Sequence, residues 1–328
     1  MQELWTMYHH EIPEFLYEFM QTKEMKRIKN VGMNCGVDYT SFPLFKNIQY
    51  YSRYDHSVGV ALIIWHFTKD IKQTIAGLFH DISTPVFAHT IDFMNGDYQQ
   101  QESTEEGTQK IIEESLEIQK LLKKYHLKTE DVCDYHLYPI ADNDTPQLSA
   151  DRLEYTLGNI YNFHFGKLID IKRFYDDLMI GQDENGKPEL SFQTQEMAIH
   201  FFRLMMKTSH IYVCDEDRIS MQILAKLVRY AIEYQVISYE DLYTTETNVI
   251  DKLEKHVLTR TQWQNYCLNS SVKISKIKVN ENCLKIDAKK RYINPLVKNQ
   301  RLSSLSYQIQ QEMMEFQNRS FNYWVYLD

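Results

Sequence analysis

An adjacent histidine and aspartate, His80 and Asp81, close an apolar stretch with helical spacing. A neighbouring imidazole and carboxylate are two of the donor types that divalent metals accept in proteins. A second histidine, His56, precedes this pair, and a second aspartate, Asp151, follows it. These two nitrogen and two oxygen donors predict a site for one divalent transition metal ion, of which Fe, Mn, Ni and Zn are candidates.

Two arginines stand next to the predicted metal ligands. Arg53 precedes His56 by three residues, and Arg152 directly follows Asp151. A guanidinium group can hold two oxygens of one phosphate, and a metal ion lowers the pKa of bound water so that hydroxide can attack phosphorus. The pattern therefore predicts hydrolysis of a phosphate ester, with Arg53 and Arg152 binding substrate. A structural ion pair is the alternative role for Arg53.

The elements that carry these residues are predicted to be helices. Asp55 is a candidate N-cap for a helix over residues 58–67, which is apolar nearly all round and must therefore be buried. Asp70 and Gln73 resemble a capping box that opens the next helix.

The second helix has a face of small residues next to the proposed ligands. His80 shares this face with Ala76 and Gly77, which would allow the helix that carries His56 to approach closely. Asp81 lies one step further round, so that its carboxylate and the imidazole of His80 can converge.

Further helices are predicted after this region, and the one that matters most for the site begins at Ser149 or Ala150 and carries Asp151 in its first turn. The others are expected over residues 111–127, 167–179, 194–207, 215–235 and 239–256, with a glycine-containing turn at 181–188.

The C-terminal part differs from the rest of the chain. Residues 272–279 alternate strictly between apolar and polar, and residues 284–291 are predicted to pair with them as a hairpin. Residues 321–326 are a further candidate strand. We therefore expect a mainly α protein with a small C-terminal β element. We divide it into a helical core at 1–215 and C-terminal helices with the hairpin at 216–328.

Composition narrows the functional class. The formal net charge of −9 argues against a dominant nucleic-acid-binding surface, because phosphate neutralisation requires an excess of lysine and arginine. The five cysteines are scattered, with no pair at zinc-ribbon spacing. No segment reaches 18 uninterrupted apolar residues, and the N-terminus lacks the pattern of a secretory signal. We expect a cytoplasmic protein without a membrane segment.

Three stretches together resemble the HD-domain phosphohydrolases, a superfamily named for its adjacent histidine and aspartate. They read SRYDHSVGV at 52–60, HDISTPVFAH at 80–89 and DRLEY at 151–155. With Phe42 and Pro43 upstream, the pattern looks like the deoxynucleoside triphosphate triphosphohydrolase branch, which includes the SAM-and-HD-domain protein of mammals. The resemblance extends over residues 12–165 and only loosely beyond.

The resemblance implies an all-helical HD-domain core and a divalent metal. Mg or Mn bound with the substrate is a further cofactor candidate. It also implies that Arg152 contacts phosphate, that Tyr155 faces the substrate and that His89 acts near the phosphates as an acid, a base or a binding group. The branch commonly forms homo-oligomers and releases tripolyphosphate from a deoxynucleoside triphosphate.

Several positions depart from that branch. Ser83 and Thr84 replace a glycine and a histidine that usually follow the His-Asp pair, and the segment TEEGT at 104–108 lacks the histidine expected there. Glu105 in this segment could act catalytically with His89, or it could belong to a solvated helix start. Gly158 and Asn159 stand where the branch usually has an arginine and an aspartate.

The sequence thus leads to two functional hypotheses. The first is a metal-dependent phosphohydrolase that acts on a nucleotide or another small phosphate ester, with dNTP triphosphohydrolysis as one version. The alternative is a nucleotide-binding regulatory module that keeps the HD scaffold but turns over little substrate. Acid or base help from one side chain is typically worth ~10²–10⁴ in rate, so the loss of a catalytic histidine could slow hydrolysis by that factor while binding persists.

Overall fold

The computed structural model describes residues 1–96 and 107–327, and it confirms a mainly α fold with a small amount of β structure. Short 3₁₀ turns connect several of the helices. The helices are α1 Gln2–Tyr8, α2 Glu14–Met20, α3 Lys23–Arg27, α4 Arg53–Thr68, α5 Ile71–Phe79, α6 His89–Asn95, α7 Thr108–Glu114, α8 Leu116–Lys124, α9 Ala150–Asn162, α10 Leu168–Asp176, α11 Gln195–Ile211, α12 Asp215–Glu233, α13 Glu246–Lys255, α14 Arg260–Leu268, α15 Leu302–Leu305 and α16 Tyr307–Gln317.

Helix α4 is the central helix of the candidate site. Its N-cap is Ser52, so the prediction of Asp55 as the cap is wrong by one turn. The Ser52 hydroxyl accepts a hydrogen bond from the Asp55 amide at 3.1 Å, while the Asp55 carboxylate accepts one from the Ser52 amide at 3.1 Å. Asp55 is thus the third residue of a capping box. The helix is buried along most of its length, as its all-round apolar sequence predicts.

Helix α5 packs closely against α4, as its small residues predict. Asp70 caps α5 by accepting hydrogen bonds from the amides of Lys72 and Gln73. A methyl group added at Gly77 would overlap Ile64 Cδ1 on α4, so a larger residue would force the two helices apart. This contact brings the end of α5, with His80 and Asp81, beside the first turns of α4.

The later helices differ in detail from the predicted ones. The helix predicted over 111–127 is interrupted at Ser115, whose hydroxyl accepts from the Ile118 amide and starts a second helix there. Helix α9 begins after Ser149, as predicted, because the Ser149 hydroxyl accepts from the Arg152 amide. The predicted turn at 181–188 is the centre of a β hairpin.

The strands form two small sheets. β1 Leu178–Gln182, β2 Pro188–Phe192, β4 Leu296–Val297 and β5 Gln300–Arg301 form one sheet in the order β1-β2-β4-β5. β3 Val272–Ser275 and β6 Trp324–Leu327 form the other, as an antiparallel pair.

The hairpin predicted between residues 272–279 and 284–291 is wrong. Strand β6 separates the two segments, because Val325 pairs with Ile274 of β3 on one side and forms a bridge with Leu284 on the other. The candidate strand at 321–326 is therefore the element that both segments contact, and most of 284–291 is left without a strand partner.

Two clusters of buried apolar side chains hold these elements together. One involves α4, α5, α9 and α11, and the other packs α12 and α13 against residues from 35–45 and 86–94. The predicted division at residue 215 stays a prediction. Within residues 1–96 and 107–327, no helix combines the length and the apolar character needed to cross a bilayer.

A buried glutamate ties the C-terminal helices to the segment that leads into α4. The Glu246 carboxylate accepts hydrogen bonds from the Gly32 amide at 2.9 Å and the Tyr39 hydroxyl at 2.7 Å. Burial raises the pKa of Glu246 to about 7, and these two hydrogen bonds offset only part of the rise. The folded protein therefore binds this proton more tightly than the unfolded chain does.

This raised pKa predicts a pH-dependent stability. Between about pH 4.5 and pH 7 the folded state keeps a proton that the unfolded chain has lost, so the contribution of Glu246 to stability falls as pH rises through this range. We expect the free energy of unfolding of Glu246→Gln, measured relative to that of the wild type, to rise by about 2 to 3 kcal/mol between pH 5 and pH 8. Urea unfolding of both proteins at pH 5 and pH 8 measures these free energies. A difference between variant and wild type that is the same at both pH values would contradict the raised pKa of Glu246.

Candidate metal centre

Three of the four predicted metal ligands meet at one point. His56 Nε2 lies 2.9 Å from Asp151 Oδ1 and 3.2 Å from His80 Nε2, and the His80 and Asp151 atoms are 3.7 Å apart. Helices α4 and α9 and the end of α5 each contribute one of them. All three donor atoms lie within 4.8 Å of one another, so this group could bind a metal ion.

The hydrogen bonds of the two imidazoles orient their donor atoms. His80 Nδ1 donates to the Gly77 carbonyl at 2.7 Å, which leaves a lone pair on His80 Nε2. His56 Nδ1 donates to the Glu154 carboxylate at 2.6 Å, which likewise directs Nε2 of His56 toward Asp151. Once His56 Nε2 gives up its proton to make room for an ion, two nitrogen lone pairs and a carboxylate oxygen face one another, a donor set that fits a divalent cation.

The electrostatics of the group also suit a cation. Burial would lower the pKa of His56, but the carboxylates of Asp151 and Glu154 outweigh this and raise it to about 10. Burial likewise opposes ionisation of Asp151, yet His56 and His80 hold its pKa below the usual range. Negative charge that stabilises a proton on His56 would also stabilise a metal ion at that point.

Asp81, the fourth predicted ligand, lies beside the other three. Its Oδ2 is 3.4 Å from His80 Nε2 and 4.0 Å from His56 Nε2. Arg53 Nη1 donates to both carboxylate oxygens, at 3.0 and 3.2 Å, and Thr84 Oγ1 donates to Oδ1 at 2.7 Å. Although burial opposes ionisation, Arg53 and the imidazoles hold the pKa of Asp81 well below its usual range. Asp81 is thus an ionised carboxylate with Oδ2 toward the group.

Arg53 therefore makes the ion pair that the sequence left open as an alternative. It is buried, and its Nε has no hydrogen-bond partner within the described residues. Since a buried donor without a partner is costly, the free side of this guanidinium is a candidate contact for an anion in the cavity it lines. The ion pair with Asp81 and a phosphate contact are compatible roles.

Glu154 was not identified from the sequence, although it completes the site. It is fully buried, and besides His56 it contacts the hydroxyl of Tyr51, which donates to the same carboxylate oxygen. Two glycines make room for this arrangement. A methyl group at Gly59 would lie 2.5 Å from Glu154 Oε1, and one at Gly158 would lie 2.6 Å from the Tyr51 hydroxyl. Glu154 holds His56 in position.

This network gives a structural reason for one departure from the branch that the sequence resembles. Gly158 replaces a larger residue at the point where Tyr51 reaches Glu154. The next residue, Asn159, donates to the Tyr212 hydroxyl at 2.7 Å, and its Oδ1 is buried without a partner among the described residues. For Glu154, the sequence offers one signal of its role. It lies about one helical turn after Asp151, so both side chains are on the same face of α9.

Arg152 and Tyr155 both line the same cavity. Arg152 Nη1 donates to Asp142 at 3.0 Å and to Asn143 at 2.9 Å, and Nη2 contacts the Asn143 carbonyl. Its guanidinium is thus engaged with the loop that precedes α9. The Tyr155 ring lies 6.5 Å from that of His56, centroid to centroid, and burial raises the pKa of its hydroxyl. Tyr155 is therefore a neutral group beside the candidate metal centre.

His89 and Glu105 are the two predicted catalytic residues. His89 begins α6, lines the cavity and bonds through Nδ1 to the buried Asp92 at 2.9 Å. Burial lowers the pKa of His89, and the positive charge of Arg291 adds to this effect. His89 is therefore a neutral imidazole that presents Nε2 to the cavity. Glu105 lies outside the described residues, as does Thr104.

The candidate metal centre lies in the wall of a cavity of about 620 Å³. This is within the usual size range of small-molecule sites. The C-terminal part contributes residues that the sequence had assigned to a hairpin. Within residues 1–96 and 107–327, the charged residues of the wall are Arg53, Asp81, Asp142, Asp144, Asp151, Arg152, Asp217, Arg218, Lys289, Lys290 and Arg291. Its aromatic residues include Phe45, Phe93, Tyr135, Tyr155, Phe163, Tyr212 and Tyr292.

Comparison with known proteins gives distant similarities. No protein-family model matches the chain. It is 28% identical over 247 residues to the uncharacterized protein YdhJ of Bacillus subtilis, a match that covers 74% of this chain and 72% of YdhJ. It is also 26% identical over 153 residues to the metal-dependent phosphohydrolase cns2 of Cordyceps militaris, over 47% of this chain and 42% of cns2.

A solved structure resembles the whole fold. It is that of a hypothetical protein from Aquifex aeolicus, with a TM-score of 0.62 and 18% identity over 97% of this chain and 93% of that one. At this identity the likeness concerns the fold alone. The similarity to cns2 supports the HD-type superfamily, and the triphosphohydrolase branch stays a prediction.

Proposed function

We propose that this protein is a metal-dependent phosphohydrolase that acts on a nucleotide or another small phosphate ester. The observation that carries the proposal is the convergence of His56, His80 and Asp151 in the wall of a cavity of small-molecule size. The distant similarity to a protein named as a metal-dependent phosphohydrolase supports the same reaction class.

The proposed roles follow from the contacts. His56, His80, Asp81 and Asp151 hold the divalent ion, which would lower the pKa of bound water and offset charge on phosphoryl oxygens. Glu154 fixes the orientation of His56. Arg53 holds Asp81 and offers to a phosphate oxygen its Nε, which has no partner among residues 1–96 and 107–327.

His89 is the proposed proton-transfer group. Its Nδ1 is fixed by Asp92, so Nε2 is the atom that takes up or returns a proton. As a neutral imidazole in the cavity wall, it can accept a proton from water or from a protonated phosphoryl oxygen.

The aromatic and amide groups of the cavity suit a substrate with an organic part. Tyr155 and Tyr212 have ring centroids 6.3 Å apart. Asn159 lies beside them in the same wall, and its Oδ1 has no partner in the described part of the chain. A nucleoside would place rings and hydroxyl groups against such a surface. Triphosphohydrolysis of a dNTP is the finer version of the proposal and rests on the sequence resemblance.

A nucleotide-binding module with little turnover is the second candidate, and Thr84 favours it. The Thr84 hydroxyl donates to Asp81, so at this position the chain has a group that fixes a carboxylate in place of the histidine found in the related branch. A threonine hydroxyl is a much weaker general acid or base near neutral pH than an imidazole, whose pKa lies close to 7. Metal and phosphate binding would then persist while hydrolysis is slow.

A substrate panel separates these functions. Purified protein supplied with Mn, Mg, Co or Ni is incubated with deoxynucleoside triphosphates, monophosphates and generic phosphoesters, and the products are identified. Tripolyphosphate would support the triphosphohydrolase version, and inorganic phosphate would indicate a phosphomonoesterase. Tight nucleotide binding without product would favour the binding module. Absence of both turnover and binding would contradict the proposal.

A further inference from the structure

A stretch of chain without helix or strand, residues 285–295, passes along the cavity. We call it the strap. Both of its ends are fixed. Leu284, just before it, exchanges two hydrogen bonds of 2.8 Å with Val325, and β4, just after it, pairs with β2. A segment without secondary structure that is fixed at both ends is a suitable carrier for binding residues.

The middle of the strap is also held in place. The buried Arg218 donates to the Ile286 carbonyl, and the Lys290 ammonium donates to the Gln317 carbonyl at the end of α16. Gln317 also donates to the Tyr292 hydroxyl. Side chains of the strap that face the cavity therefore have a defined position.

The strap carries a charge pattern that occurs once in the sequence. Lys289, Lys290 and Arg291 form the only run of three basic residues in a chain with a net charge of −9. All three line the cavity that also contains the candidate metal centre. A concentration of cations in a cavity wall of an acidic protein indicates an anionic ligand.

Arg291 of the strap contacts the proposed proton-transfer group, His89. Its Nη2 lies 3.5 Å from Nε2 of His89, and the chain positions of these residues are more than 200 apart. The fold thus brings a guanidinium fork from the C-terminal part against an imidazole of the helical core. Such a fork can hold two oxygens of a phosphoryl group.

A carboxyl group of the same wall can add a hydrogen-bond donor to these cations. Asp217 lines the same wall, and burial raises its pKa to about 8, with Arg218 and Arg291 offsetting part of the rise. At neutral pH Asp217 is therefore mostly protonated. Its protonated carboxyl can donate a hydrogen bond to an anion in the cavity.

We propose that the strap forms a second anion subsite, in which Arg291 holds a phosphoryl group of the substrate that is distinct from the group at the metal centre. The proposal rests on the proposed function, and it narrows the substrates to those that carry at least two phosphoryl groups. Arg291 acts as a substrate-binding residue, and Lys289 contributes positive charge beside it.

Anion binding to the metal-loaded protein tests this proposal. Pyrophosphate and inorganic phosphate are titrated calorimetrically into wild type, Arg291→Ala, Arg291→Lys and Lys285→Ala. Lys285 is the matched control because it lies on the strap, is exposed and contacts Asn322 outside the cavity wall. We expect Arg291→Ala to weaken pyrophosphate binding about 10- to 100-fold and to change phosphate binding little. Arg291→Lys should keep part of the affinity, and Lys285→Ala should keep all of it.

Two results would overturn the subsite. One is unchanged pyrophosphate affinity in Arg291→Ala, and the other is an equal loss of affinity for both anions. Metal uptake by the same wild-type sample tests the proposed function separately. If that sample takes up no metal, the proposed function fails, whereas pyrophosphate binding that still depends on Arg291 and not on Lys285 would support the subsite on its own.

Discussion

Replacement of Asp151 by alanine is expected to abolish most phosphoester hydrolysis. This carboxylate is one of the three donors that converge within 4.8 Å, and the other carboxylate beside them, Asp81, is already paired with Arg53 at 3.0 Å. Because the ion supplies several kcal/mol of transition-state stabilisation, we expect kcat/KM to fall about 10³-fold or more. His80→Ala should have a similar effect. Steady-state assays with the best substrate of the panel measure both.

The matched control for this prediction is Asp176→Ala. Asp176 is exposed on α10 and pairs with Lys172 at 2.6 Å, so its loss removes the same charge away from the cavity. Exposed pairs of this kind contribute about 1 kcal/mol or less to stability, and activity should be unchanged. Hydrolysis by Asp151→Ala at the rate of this control would refute the assignment of Asp151.

The second large effect is expected at Glu154. Glu154→Ala removes the carboxylate that fixes His56, and we expect metal affinity to fall about 10- to 100-fold. Glu154→Gln keeps a hydrogen-bond acceptor but not the negative charge, so its loss should be smaller. Competition with a chelator of known affinity measures the metal dissociation constant directly and does not depend on turnover.

A buried glutamate outside the cavity serves as the control. Glu189 is fully buried and pairs with Arg301 at 2.7 Å, so Glu189→Gln should reduce stability without changing metal affinity. Gly59→Ala tests the role of Glu154 in a second way. Its methyl group would displace Glu154, so metal affinity should fall as it does in Glu154→Ala. Wild-type metal affinity in both Glu154→Ala and Gly59→Ala would show that Glu154 does not position His56.

Local sequence signals were sufficient for the helices that carry the site. Asp70 caps α5, α9 begins at Ala150, which is one of its two expected starts, and Gly77 allows the close contact with α4. The cap of α4 was misplaced because both Ser52 and Asp55 belong to a capping box, and either side chain can be read as the first cap.

Pairing between distant strands was not predictable in the same way. The alternation of residues 272–279 identifies a strand but not its partner, since any nearby extended segment satisfies a local hairpin rule. The actual partner, β6, lies about 50 residues further along the chain. Because residues 284–291 were predicted to be a strand, the sequence did not indicate that the basic residues of the strap line the cavity.

The candidate site was predictable as residue types but not as a network. His56, His80, Asp81 and Asp151 were selected because their side chains are metal donors. Glu154 contacts no ligand other than His56, so its role depends on the packing of α4 against α9. The contact between Glu154 and His56 arises from tertiary structure. The position of Glu154 three residues after Asp151 would be the same if both side chains were exposed on the surface of a helix.

The measurement that tests the central claim most directly is the metal content of the purified protein. By elemental analysis, the account predicts about one equivalent of a divalent transition metal per chain in the wild type. It also predicts a clear reduction in His80→Ala and Asp151→Ala, with the fold retained. A metal-free wild type that takes up no Mn, Co, Ni or Zn, or a metal content that neither substitution changes, would contradict the claim that these residues hold the ion.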